Sequence, residues 1–291
     1  MQLRGIDIHA HFRTGERRQQ LKETHADAEK LFKSGDLRTV DPVDYYRERG
    51  LMAVVFDVDT EATNGERMNN DEVADLVNRS DGTVIGFASV DPWKGRGAIR
   101  ELERCAELGL RGLKVQPITQ GFWLNDERFR PLWDACQALG FPVMVHTGTT
   151  AIGAGSPGGR GLHLKYGHPI PALDDLAADF PRLTVIAAHF AWPWHLDLLA
   201  VARHKGNVFI DLSGWAPKYI PPEVIRHCNS VMPEKFLFGS DFPLFSPDRW
   251  LAEWAELDLK DHVRPKVMYE NACGILGLDV ARFGAAPDGE A

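Results

Sequence analysis

Two histidines one residue apart, His9 and His11, close the run Ile6-Asp7-Ile8-His9-Ala10-His11-Phe12. On a β-strand, residues i and i+2 share a face, so both imidazoles aim at one spot. Neutral imidazoles converging from one rigid strand make half of a site for a divalent transition metal. The plainer alternative is a pair of histidines satisfied within the core or at the surface. Three more polar residues close otherwise apolar runs: His146 ends PVMVH, His189 ends VIAAH and Asp241 ends LFGSD. Taken singly, each histidine reads more readily as a satisfied core or supporting residue. Four imidazoles and a carboxylate at one strand-end level form an N/O ligand set. Such a set suits one divalent ion, zinc first and manganese, cobalt or iron as alternatives, with a coordination position open to water.

The elements that must position these groups alternate along the chain. Short apolar runs cover 6–12, 52–58, 83–90, 112–115, 142–146, 184–189, 207–212 and 236–239. Most are rich in Val, Ile, Leu and Phe, as strands buried on both faces are. Between them, residues 98–108 place Ile99, Leu102, Ala106 and Leu108 on one helical stripe. Residues 127–139 do the same with Phe129, Leu132, Trp133, Cys136 and Leu139, and Asn125 or Asp126 is placed to cap them. Gly109 and Gly140 follow these segments, where a helix end often needs left-handed geometry. Further helices are expected over 171–180, 196–204, 222–227, 247–257 and 263–276.

Eight alternating βα units predict an α/β chain folded as a single-domain (β/α)8 TIM barrel over 1–280, with a doubly wound open sheet as the alternative. Residues 281–291, ending AAPDGEA, are expected to be a disordered tail. Two long segments follow strands and therefore belong to the catalytic face of a barrel. One is the charged, lid-like insertion 13–39 after the first strand; the other is the Gly-rich loop 147–169 after the fifth. Ordinary surface decoration is the alternative for both.

The chain has 291 residues, 44% hydrophobic and 25% charged, the mix of a globular protein able to bury a core. Its net charge of −8 argues against nucleic acid or an anionic membrane surface as the main partner. No run reaches the roughly 18 apolar residues of a membrane span. Cys105, Cys136, Cys228 and Cys273 have neither the spacing nor the density of a disulfide framework and read as reduced core residues. With no apolar h-region near Met1, a cytoplasmic location is expected.

In order, IDIHAHF, GLKVQP, VMVHTG, VIAAH and LFGSDFP resemble the amidohydrolase superfamily, in its amidohydrolase 2 branch, which includes aminocarboxymuconate-semialdehyde decarboxylase. The likeness runs from Gly5 to about Leu278 and includes the closing Asn271-Ala272-Cys273-Gly274-Ile275-Leu276-Gly277-Leu278, similar to the branch's NAxxLLGL ending. The resemblance implies a mononuclear metal site held by His9, His11, His146 and Asp241. It also implies that His189 either joins the ligands or holds water or substrate, and that Asp241 and His189 do the catalytic work. In binuclear members a strand-four lysine is carboxylated and bridges two metals. Lys114 occupies such a position, but its GxKxxP context is similar to the mononuclear branch, which disfavours a second metal and makes Lys114 a supporting or substrate-contacting residue.

Three functions compete. AHFAWPW, ARHKGNVFIDLSGW and APKYIPPE resemble a subgroup that includes aryl β-ketoacyl-CoA hydrolases, which implies a thioesterase using metal-activated water on an acyl-CoA. A thiolate leaves readily, so one base and one metal suffice without an acyl-enzyme. Arg160, Lys165 and Lys218 could then meet CoA phosphates, solvated surface charge being the alternative. The second reading is non-oxidative decarboxylation of an aromatic or unsaturated acid, with Arg13 as a carboxylate clamp. The third is a non-catalytic barrel used for binding. Trp192, Trp194, Trp215, Tyr219, Phe242 and Phe245 all follow late strands and suggest a roomy apolar pocket, core or subunit packing being the alternative. A small-molecule substrate is expected as the partner, in a chain that could form a homodimer.

Overall fold

The computed structural model describes residues 3–12, 40–65 and 67–284. All strand pairing in it is parallel. β1 (Gly5–His11), β2 (Leu51–Phe56) and β3 (Val84–Gly86) form one ladder. β4 (Ala88–Ser89), β5 (Leu113–Val115), β6 (Val143–His146), β7 (Val185–Ala188), β8 (Val208–Asp211) and β9 (Phe236–Leu237) form the other.

The two ladders are one barrel. The expected run 83–90 becomes two strands, because at Phe87 the chain changes partner. Phe87 N–H bonds Val55 O, whereas Ala88 N–H bonds Gly112 O. At the other seam Ile8 N–H reaches Phe238 O, Asp241 N–H reaches His9 O and His11 N–H reaches Phe242 O, which joins the last strand to the first. Helices including Asn70–Arg79, Arg96–Glu107, Arg130–Leu139, Ala172–Asp179, His195–His204 and Pro247–Ala255 alternate with the strands. The chain is a single-domain (β/α)8 barrel.

Burial follows the strand period. Met52, Val54 and Phe56 join Ile85, Met144, Ile186 and Leu237 in the barrel interior. Ala53, Val55, Val143, Val145, Val185 and Val208 face the helices, packing with Leu102, Trp133, Leu173 and Trp250. The helix Asn271–Leu276 contributes Ala272, Cys273 and Leu276 to the interior cluster. Phe283, within the stretch expected as a tail, is buried there too and pairs with Leu3. The four cysteines are buried and unbridged. Among the described residues, no helix is long and apolar enough to cross a membrane.

The insertion 13–39, with the expected clamp Arg13, and residues 285–291 lie outside the described residues. Residues 147–169 fold as short 3-10 turns, Pro157–Gly161 and Leu164–Gly167, beside the segment that follows β7. Gly148 N–H bonds Gly167 O, and Thr149 N–H bonds Trp192 O.

Candidate metal centre

Every polar residue that closes an apolar run emerges at the same end of the barrel. His9 and His11 end β1, His146 ends β6, His189 follows β7 and Asp241 follows β9. One nitrogen from each of His9 and His11 and one oxygen of Asp241 lie within 4.8 Å of one another. His9 Nε2 is 3.5 Å and His11 Nε2 is 3.3 Å from Asp241 Oδ1. His189 stands next to them, its ring centroid 4.7 Å from that of His9 and 4.7 Å from that of His146. His146 completes the row, with its Nε2 2.9 Å from Thr149 O.

Two residues beneath this row escaped the sequence reading. Asp211, the last residue of β8, is fully buried, and its Oδ2 lies 2.6 Å from His9 Nδ1. The Ser213 hydroxyl donates to the same oxygen at 2.6 Å and lies 3.0 Å from His189 Nδ1. With Ser213 donating to Asp211, its lone pair accepts a proton from His189 Nδ1, and Asp211 accepts one from His9 Nδ1. The Nε2 of each imidazole is then the basic nitrogen, the tautomer a metal ligand needs. The signal for Asp211 was in the sequence: it ends VFID just as His146 ends VMVH.

The backbone around these groups is unusual. His189, Phe190 and Ala191 have φ of 61°, 40° and 53°, and Asp241 has φ of 71°. Such left-handed geometry in non-glycine residues costs about 1–3 kcal/mol each and persists where surrounding contacts enforce it. Glycine is required at two adjoining places. A Cβ on Gly214, at φ of 76°, would fall 2.5 Å from His189 Nδ1, and one on Gly239 would fall 2.2 Å from Asp211 Oδ1.

Burial sets the charge states. Desolvation, then the Lys114 ammonium, hold His146 down at about 3. His9 is held well below the ordinary imidazole range by burial and Lys114, and His189 by burial and its neighbour His146. Burial raises Asp211 and lowers Lys114, the attraction between them opposing both shifts. Neutral imidazoles are what a cation binds. The donor chemistry, the enforced tautomers and the convergence all fit a divalent ion held by His9, His11 and Asp241, with His146 and His189 on its border.

Of the remaining expected site residues, Lys114 joins this row. Lys114 is buried under the site, its Nζ 3.4 Å from His9 Nε2 and 4.7 Å from the centre of the Phe56 ring, and so touches the metal-binding row itself. Phe242, expected in a pocket wall, is buried against Tyr45 and Tyr46; Phe245 is also buried. Trp192 and Trp215 pack together with centroids 4.9 Å apart, Trp192 remaining exposed, while Trp194 packs on His168. Arg160, Lys165, Lys218 and Tyr219 are exposed, and Lys218 pairs with Glu253 at 3.8 Å.

Known proteins are similar to this chain in sequence and in fold. A 2-amino-3-carboxymuconate-6-semialdehyde decarboxylase of Dictyostelium discoideum is 33% identical over 78 residues, which span 26% of this chain and 22% of that relative. An uncharacterised TIM-barrel protein of Bordetella bronchiseptica has a similar structure, with TM-score 0.80 and 20% identity over 94% of this chain and 99% of the other. So does a 5-carboxyvanillate decarboxylase of Novosphingobium aromaticivorans complexed with manganese and 4-hydroxy-3-methoxy-5-nitrobenzoic acid. Its TM-score is 0.70 at 18% identity, covering 95% of this chain and 96% of the other. These structural likenesses speak for the barrel. The family model described as amidohydrolase matches residues 6–278, and the chain belongs to that family.

Proposed function

We propose that this protein is a divalent-metal-dependent enzyme that removes a carboxyl group, without oxidation, from an aromatic or unsaturated carboxylic acid. The observation that carries this reading is the convergence of His9, His11 and Asp241 at the mouth of the barrel. The choice of reaction is supported by decarboxylases among the similar proteins. It was the second reading of the sequence. The first, an acyl-CoA thioesterase, has no comparable support: Lys218, one of its three phosphate contacts, is engaged by Glu253.

His9, His11 and Asp241 would hold the cation, zinc or manganese. A bound divalent cation acts as a Lewis acid on substrate oxygens. Decarboxylation breaks the bond from carbon to the carboxyl group, leaves the electron pair on that carbon and needs one proton there, so that RCOO⁻ and H⁺ become RH and CO₂. Asp241, whose Oδ1 lies 3.3 Å from His11 Nε2, would be the carboxyl that carries that proton to the carbon. His189, with Nδ1–H committed to Ser213, offers Nε2 as an acceptor for a substrate hydroxyl or a proton in transit.

The test is to load the protein with Zn²⁺ or Mn²⁺ and offer hydroxybenzoates, unsaturated dicarboxylic acids and a panel of acyl-CoAs. Carbon dioxide from an acid, abolished by chelation and reduced at least a hundredfold in Asp241→Asn, is expected. Free thiol from an acyl-CoA with no carbon dioxide from any acid would reverse the choice of reaction.

A further inference from the structure

β1 is not a regular strand. Asp7 pairs with Ala53 and Ala10 pairs with Val55, so Ile8 and His9 together stand opposite Val54. Two residues facing one make a β-bulge, which breaks the alternation of sides. Ile6 and Ile8 pack in the barrel interior, whereas Ala10 packs in the layer under the helices. In an unbroken strand His9 and His11 would lie on the side opposite Ile6 and Ile8, away from the interior. The bulge turns them inward, where both imidazoles meet the edge of Phe56 at centroid distances of 4.9 and 5.1 Å.

Asp7, fully buried, stands at the start of this bulge. Its Oδ1 accepts the N–H of His9 at 3.1 Å and the N–H of Ser240 at 2.9 Å. Its Oδ2 accepts the hydroxyls of Tyr46, at 2.7 Å, and Ser240. One carboxylate therefore grips the peptide of one proposed ligand, His9, and the residue preceding another, Asp241. The direct link between those two, Asp241 N–H to His9 O, lies beside it.

We propose that Asp7 is a positioning residue of the metal centre: it pins the β1 bulge and sets the spacing between the His9 and Asp241 donors. The role rests on the reading that His9, His11 and Asp241 hold a divalent cation. Four donors converge on Asp7, and an ionised carboxylate accepts all four. An amide of the same shape has one accepting oxygen; it keeps the two backbone N–H donors only if the Tyr46 and Ser240 hydroxyls turn round to accept from its NH₂ and give up their own bonds to this carboxylate. Asparagine at position 7 should thus loosen the bulge even where the barrel still folds.

The measurement uses the full chain stripped of metal and titrated with Co²⁺, read by calorimetry and by the visible Co²⁺ bands, with circular dichroism checking the fold. Asp7→Asn is expected to lower Co²⁺ affinity at least tenfold and to alter the bands at temperatures where the protein is folded. The control is Asp91→Asn. Asp91 is another fully buried carboxylate, but its amide donors are Ala62 and Trp93, outside the site. Asp91→Asn should lose stability and keep wild-type affinity and bands. If Asp7→Asn does not fold, Ser240→Ala and Tyr46→Phe, which each remove one donor, carry the test and should weaken binding several-fold. Wild type that binds no Co²⁺ would remove the metal reading. Wild type that binds, with folded variants matching it in affinity and bands, would overturn the role of Asp7 and leave the metal reading standing.

Discussion

At His9 the two ring nitrogens have different tasks. Nδ1 lies 2.6 Å from Asp211, and Nε2 looks toward Asp241 and Lys114. An acceptor on one nitrogen fixes the tautomer and raises the basicity of the other, and losing such a partner typically costs 10–100-fold in metal affinity. Asp211→Asn keeps the shape but presents an NH₂ or a weaker acceptor to both His9 and Ser213. We expect a folded protein whose metal affinity falls about 10–100-fold, measured by calorimetry with Zn²⁺. Lys218→Ala, changing an exposed lysine paired with Glu253, should leave that affinity unchanged. An Asp211→Asn protein that binds metal as wild type does would show that the His9–Asp211 contact serves packing alone.

The elements are tied to one another through these side chains. The turn after β8 and the turn after β9 approach so closely that only glycine fits between them. A Cβ on Gly239 would strike Asp211 Oδ1 at 2.2 Å and Ser213 Cβ at 2.9 Å. Gly239→Ala must therefore displace Asp211 or open the seam between β8 and β9. Overpacking of this kind costs about 1–3 kcal/mol. The displaced Asp211 would release His9, so a thermal melt and a metal titration should both register the change. Gly206→Ala, where an added Cβ meets nothing within 4 Å, should disturb neither. Unchanged metal binding in Gly239→Ala would mean that the two turns separate without moving the carboxylate.

Across the whole molecule, the site is a store of buried ionisable groups that stability must accommodate. His146 is held at about 3 against 6.5 for a free imidazole, and His9 and His189 are shifted the same way. In the metal-free protein, an unfolded chain then binds protons below pH 6.5 that the folded chain refuses, so stability falls as pH drops. Burial raises Asp7 from 3.8 to about 6 and moves Asp211 in the same direction. These two carboxyls keep protons in the folded state that the unfolded chain releases, so their contribution falls as pH rises above 3.8. Three imidazoles outweigh two carboxyls between pH 4 and 6. Metal-free protein should gain stability with rising pH there. Denaturant titrations at intervals of half a pH unit check this. A stability that is flat or falls across the interval would show that these histidines are not held neutral.

Alternating apolar runs and helical stripes, read from the sequence alone, determined the barrel, because periods of 2 and 3.6 are local properties of the chain. They also placed His9, His11, His146, His189 and Asp241 at one level, since the end of an apolar run marks the end of a strand. The sequence could have yielded Asp211 by the same rule. Other features were invisible to it because they depend on contacts between distant segments. The bulge that turns His9 inward is set by pairing with β2 and by Ser240 and Tyr46 gripping Asp7. The burial of Phe242 among tyrosines and the switch of partner at Phe87 likewise have no local signature. Periodicity settles which face a side chain takes only while a strand stays regular. At the metal centre the strand is irregular, and the tertiary structure decided which way the histidines point.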